Sequence, residues 1–158
     1  MIKINHLSLF SKKINMLAQK VIITSNIEEE LSVILQKEQY LSIYILTDSI
    51  TKDLCLPILN QVKELSQAKI IETKPGDDNK NMDSLIKIWE FLSANGATRK
   101  SLMINLGGGM ITDMGGFAAS TFKRGITYIN IPTTLLGAVD AAVGGKTGIN
   151  FLGLKNEI

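Results

Sequence analysis

The chain has 158 residues, enough for one complete hydrophobic core, and its 45% hydrophobic and 20% charged residues are typical of a globular protein. Its net charge of +2, from 17 basic and 15 acidic residues, is too small, and its cations too scattered, for a nucleic-acid surface. A single cysteine, Cys55, excludes an internal disulfide, and no apolar run is long enough for a membrane-spanning helix.

Residues 1–10 lack a basic region followed by an apolar core and a small-residue cleavage site, so no secretory signal is read there and a cytoplasmic location is expected. The only histidine, His6, reads as a surface or edge-strand residue. Residues 20–24 (KVIIT) form a first strand candidate. Residues 27–38 carry apolar side chains at 27, 31, 34 and 35, one face of a helix. A second strand spans 41–46 (LSIYIL) and ends at Thr47-Asp48-Ser49. Helical spacing returns over 52–65, at Leu54, Ile58, Val62 and Leu65, and places Cys55 as a small hydrophobe.

A third strand, 69–72, closes at Pro75-Gly76, and an amphipathic helix over 81–94 stops at Asn95-Gly96. The strand at 101–106 runs straight into three glycines. A helix over 110–122, a strand over 126–131 stopped by Pro132, and a short helix over 135–143 ended by Gly144-Gly145 complete the series. Strands alternating with helices predict an α/β fold, a mainly parallel Rossmann-like sheet with helices on both faces. No repeat or flexible linker divides the chain, so residues 1–158 read as one domain. The glycine turn 153–157 leads toward a new element, and the natural protein is expected to continue.

Gly107-Gly108-Gly109 follows a strand and opens a helix. Such a turn either serves the backbone alone or brings free N–H groups and a helix dipole against an anion such as a pyrophosphate. Its spacing is not GxGxxG. Asp113, read in the first turn of that helix, either offsets the dipole or accepts hydrogen bonds from a dinucleotide. Asp48, at a strand end, caps the next helix or holds ribose hydroxyls, and in the second role it would favour NAD over NADP. The turn 75–80 is either a solvated loop with Asp78, Asn79 or Asn81 capping the helix, or a cofactor flank carrying Lys80. Thr133 and Thr134 sit at another strand end. Gly144-Gly145-Lys146-Thr147 lacks the upstream glycine of a Walker A loop. Asp140 and Lys146 lie among alanines, glycines and valines, where charge is costly unless paired or used, so 133–156 reads as a cavity wall.

Three stretches resemble the 3-dehydroquinate synthases of the sugar-phosphate cyclase family: GGGMITDMGGFAASTFKRG (107–125), IPTTLLGAVDAAVGGKTGIN (131–150) and GLKNEI (153–158). A weaker, colinear likeness runs through Thr47-Asp48, Pro75-Gly76-Asp77 and Lys80. The resemblance implies conversion of 3-deoxy-D-arabino-heptulosonate 7-phosphate to 3-dehydroquinate and phosphate in the shikimate pathway, with NAD and a divalent metal, zinc or cobalt. It also implies a homodimer and a helical C-terminal domain, absent here, that carries the metal ligands; none is expected in this chain, which alone is expected to be inactive. By the same resemblance Asp48, Asp77, Lys80, Gly108, Gly109, Met110, Asp113, Thr133, Thr134 and Leu136 surround NAD. Lys146 and Lys155 sit where cofactor meets substrate. Asp140, Lys146 and Asn156 contact substrate, and Arg124 reaches a phosphate across the dimer interface. Asp77 stands where the family usually has glutamate, Ile50 where asparagine often follows, and Ala142 where serine is common. Other sugar-phosphate cyclases, and the metal-dependent alcohol dehydrogenases like glycerol dehydrogenase, are the rival readings.

Overall fold

A computed structural model describes residues 20–158 in full and the backbone of residues 2–5; His6 lies outside the described residues. Among the described residues, six strands form one sheet in the order β2-β1-β6-β5-β3-β4. They are β1 (Ile2–Asn5), β2 (Lys20–Ile22), β3 (Ser42–Asp48), β4 (Lys69–Thr73), β5 (Ser101–Gly107) and β6 (Thr127–Pro132). The pairs β3·β4, β3·β5 and β5·β6 are parallel, whereas β1 runs antiparallel to both β2 and β6. The mainly parallel sheet is as expected; β1 and its antiparallel corner are additions, and the second strand stops at Ile22 rather than Thr24.

Side chains alternate between two cores, as period-two strands require. Tyr44, Leu46, Met103 and Tyr128 pack with the helices α3 (Met82–Ala94) and α4 (Gly109–Thr121). Ile45, Leu102, Ile104, Leu106, Ile129 and Ile131 pack on the opposite face with α1 (Ile27–Lys37) and α2 (Ser49–Leu59). Every residue of β5 is buried, the expected state of a central parallel strand covered on both faces.

The helix ends follow from local chemistry. Asn26 and Asn81 cap α1 and α3, accepting from the N–H groups of Glu29 and Ser84 at 3.2 and 3.0 Å. Asp48 caps α2, which therefore begins at Ser49 rather than at Lys52. That helix also ends early, at Leu59, instead of running to Leu65. Pro57 in its last turns has no N–H to give and crowds the preceding turn. Leu65 belongs to a separate 3₁₀ turn, Lys63–Leu65. The short helix expected over 135–143 is a wide π turn, Gly137–Ala141, a form frequent at functional sites.

Candidate functional site

The parallel strands deliver their carboxyl ends to one edge, where ligands of open α/β sheets bind. Asp48 ends β3, the turn 74–80 follows β4, Gly107 ends β5 and Pro132 ends β6. Gly107 pairs with Pro132, and the Thr133 N–H donates to the Gly107 carbonyl at 2.9 Å. The glycine bend and the Thr133–Lys146 wall are therefore direct neighbours. A β-carbon on Gly108 would meet the Thr134 side chain at 3.2 Å, and one on Gly109 would meet the Ala141 β-carbon at 3.3 Å. Gly108 is the N-cap of α4 and no side chain caps that end, so the first N–H groups of the helix are left to an outside acceptor. Thr133, Thr134 and Leu136 are exposed beside it.

Asp113 corrects one expectation. Because α4 begins at Gly109, Asp113 is its fifth residue and lies beyond the first turn, so it does not serve as dipole compensation there. It faces Lys80 instead. Lys80 is only 3% exposed, and its Nζ stands 3.2 Å from Asp113 Oδ2 and 3.7 Å from Asp77 Oδ1 while donating to Asn156 Oδ1. Burial pushes the Asp113 carboxyl above the ordinary aspartate value; Lys80 opposes that shift, and the negative Asp140 and Asp77 add to it. Asp77 moves the other way, held low first by its hydrogen bond from Lys155, whose Nζ is 3.0 Å from Oδ2.

Asp140 and Lys146 form an ion pair with each other. The Asp140 hydrogen bond and charge hold the Lys146 ammonium above the usual lysine value. Both side chains are more than half exposed, so the wall they form is open rather than enclosing. Asp48 is nearly buried and both its oxygens are in use, accepting from the Thr51 N–H at 2.8 Å and hydroxyl at 3.0 Å. Its capping role is thus realised in the fold.

The edge gathers Asp48, Asp77, Lys80, Gly108, Gly109, Met110, Asp113, Thr133, Thr134, Leu136, Asp140, Lys146, Lys155 and Asn156. Arg124 is not among them: it precedes β6, at the opposite end of the sheet, exposed and with φ of 69°. Asn150, which the sequence pattern does not single out, bonds both the turn 77–80 and Asn156. Its only signal was a polar side chain inside the TGIN tail of a distinctive stretch. Among the described residues, no three His, Cys, Asp or Glu side chains gather as metal ligands, and no helix is long and apolar enough to cross a membrane.

Residues 70–158 match the family model described as 3-dehydroquinate synthase N-terminal. The chain belongs to the 3-dehydroquinate synthase family. It is 55% identical over 140 residues to the 3-dehydroquinate synthase of Parabacteroides distasonis, covering 89% of this chain and 40% of that protein. It is 50% identical over 118 residues to that of Pyrococcus furiosus, covering 73% and 34%. The chain thus spans two fifths or less of these relatives. Among solved structures it resembles 2-deoxy-scyllo-inosose synthase complexed with carbaglucose-6-phosphate, NAD⁺ and Co²⁺, with a TM-score of 0.75 at 25% identity over 84% of this chain and 37% of that one. The fold is also that of 2-epi-5-epi-valiolone synthase from Streptomyces hygroscopicus, with a TM-score of 0.76 at 24% identity over 97% and 42%.

Proposed function

We propose that this chain is the nucleotide-binding N-terminal domain of a 3-dehydroquinate synthase. The whole enzyme converts 3-deoxy-D-arabino-heptulosonate 7-phosphate to 3-dehydroquinate and phosphate, in the cytoplasm, as a step of the shikimate pathway. The observation that carries the reading is the shared edge: the uncapped N-terminus of α4 and the stretch that carries the Asp140–Lys146 pair are neighbours at the carboxyl ends of the strands, joined through the Gly107–Pro132 pairing. That juxtaposition suits an anionic dinucleotide lying against an anionic sugar.

The residues fit NAD. The N–H groups that open α4 at Gly109 and Met110, with Gly108 before them, suit a pyrophosphate. Asp48, beside β4 at the sheet's far edge, suits ribose hydroxyls and repels a 2′-phosphate. Thr133, Thr134 and Leu136 offer hydroxyls and an apolar surface, and Asp77, Lys80, Asp113 and Lys155 line the opposite rim. NAD, when bound, supplies reversible hydride acceptance. The related inosose synthase carries NAD⁺ and Co²⁺, which supports the same cofactor and a divalent metal, zinc or cobalt, with ligands outside this chain.

The chain's own residues bind, orient and hold protons. Lys146, kept protonated by Asp140, presents a fixed positive charge to the carboxylate or phosphate of the sugar. Asn156 is steered by its bond from Lys80 and offers its amide to a hydroxyl. Arg124, remote from this edge, serves the site of a second protomer in a homodimer.

A phosphate-release assay of the extended chain, supplied with NAD and divalent metal, tests the assignment. Turnover of the heptulosonate phosphate supports it; cyclisation of a different sugar phosphate, or simple alcohol oxidation, replaces it. The 158-residue chain alone is expected to be inactive in the same assay.

A further inference from the structure

Residues 77–80 and 149–158 are some 70 positions apart, yet they are joined by the Lys80–Asn156 bond, the Lys155–Asp77 ion pair and a set of bonds centred on Asn150. The Asn150 N–H donates to the Lys80 carbonyl at 2.7 Å. Its Nδ2 donates to the Asp77 carbonyl at 2.9 Å and reaches Asp77 Oδ2 at 3.3 Å. Its Oδ1 accepts the Asn156 N–H at 3.0 Å. Both polar groups of the side chain are engaged, with Asp77 and Asn156, while the backbone N–H binds Lys80; all three are residues of the proposed site.

We propose that Asn150 is a positioning residue: it fixes Asn156 and the Asp77–Lys80 turn relative to each other, so that the cofactor rim and the substrate amide keep one geometry. The inference rests on the proposed synthase reading. The alternative, a purely structural staple, is disfavoured by where the bonds go. Asn156 has a φ of 54°, the left-handed region that asparagine tolerates, and its backbone N–H is tied to Asn150 rather than to a regular ladder. The Lys80 ammonium, bonded to Asn156 Oδ1, and the Lys80 carbonyl, bonded to Asn150, close a ring through both segments. Truncating the Asn150 side chain removes its bonds to Asp77 and to the Asn156 N–H, loosening one of the ties between the two segments without touching the sheet or its two cores.

The test is a double-mutant cycle on the extended enzyme with Asn150→Ala, Asn156→Ala and the pair, reading kcat/KM for the sugar phosphate alongside thermal unfolding. The expected result is a loss of kcat/KM on the order of 10- to 100-fold in a folded Asn150→Ala enzyme. In the Asn156→Ala background, removing Asn150 adds much less than it does alone, because both act on one arm. Asn150→Ser, which offers one hydroxyl in place of the amide, recovers part of the loss; it also takes over the cycle if the alanine variant does not fold. Full additivity with Asn156, or a folded Asn150→Ala enzyme within about twofold of wild type, overturns the role. An active wild type with an unaffected variant removes only the role of Asn150. An inactive wild type removes the synthase reading and this role with it.

Discussion

The Lys80 ammonium, almost wholly buried, stands 3.2 Å from the Asp113 carboxylate. Neither charge is deep in an apolar core, but each has lost most of its water, and Asp113 stays above its ordinary pKa even with the cation beside it. Replacing Lys80 with Met leaves Asp113 without its counter-charge, and breaking such a pair costs on the order of 3 kcal/mol at neutral pH. The cost depends on pH in a defined direction. A carboxyl whose folded pKa is raised contributes favourably below its unfolded value and loses that contribution as pH rises through the folded value. Lys80→Met raises the Asp113 pKa further, so the gap in melting temperature between wild type and variant is widest near pH 7. It narrows as pH falls through the raised value toward 3.8. Thermal unfolding across that range measures it; a gap that is constant or widens in acid contradicts the assignment.

Asp48 combines a capping bond with a proposed ribose contact, and one substitution separates the two. Asn at residue 48 keeps an oxygen for the Thr51 N–H, so Asp48→Asn is expected to unfold within about 0.5 kcal/mol of wild type, whereas Asp48→Ala loses about 1 kcal/mol with the cap. The same Asp48→Asn change removes the charge that disfavours a 2′-phosphate. Calorimetry with NAD and NADP on the extended chain should then find NAD weakened and the gap between the two reduced. An unchanged preference removes Asp48 from the cofactor site.

Gly115 lies in the middle of α4, where alanine would ordinarily gain about 1 kcal/mol of helix propensity. Here a β-carbon would overlap the Oδ1 of Asn105, a fully buried residue whose Nδ2 donates to the Oδ1 of Asn130 at 2.8 Å. Moving Asn105 means disturbing a buried amide pair between β5 and β6, so the helix would have to lift from the sheet. Gly115→Ala is expected to destabilise by about 1–3 kcal/mol, against the propensity scale. A denaturant midpoint at or above that of wild type contradicts the packing described.

The alternation of strands and helices was legible because each element buries one periodic face, and burial is what periodicity records. The same dependence explains the misreadings. The face expected from Leu54, Ile58, Val62 and Leu65 is not the one that packs: Leu54 and Ile58 are exposed, α2 buries Thr51, Leu56 and Leu59 instead, and Val62 and Leu65 are buried only after the backbone has left the helix at Leu59; in so apolar a stretch, spacing alone fits more than one face. The strand β1 is four residues long at the start of the chain, and its Ile2 and Ile4 alternate too briefly to stand out. In the site, the glycine bend and the charges set among small residues were visible as local chemistry. The partnership of Lys80 with Asp113, and of Asn150 with Asp77, was not. Each joins residues more than 30 positions apart, and only the fold supplies that pairing.

Leu152 stands at φ of 48°, followed by Gly153 at φ of 80°, in a two-residue turn closed by the Phe151–Leu154 bridge. The side chain is 86% exposed, so packing gives nothing back for the left-handed backbone. Asn suits the first position of such a turn, and Leu152→Asn is expected to stabilise by about 0.5–1 kcal/mol, seen as a higher melting temperature. A lower melting temperature would mean that Leu152 covers another surface.

The Asp140–Lys146 pair is the converse case. Both side chains are largely in solvent, and ion pairs so placed add little to folding. Stability alone gives little reason for this exposed pair, whereas the proposed contact of Lys146 with an anionic sugar gives one. Lys146→Met and Asp140→Asn should therefore unfold indistinguishably from wild type. In the extended enzyme, removing a charge aimed at the reacting sugar is expected to lower kcat/KM by about 100-fold or more. Melting curves and phosphate-release kinetics on the same preparations decide the matter: lost stability with retained turnover would reassign the pair to the fold.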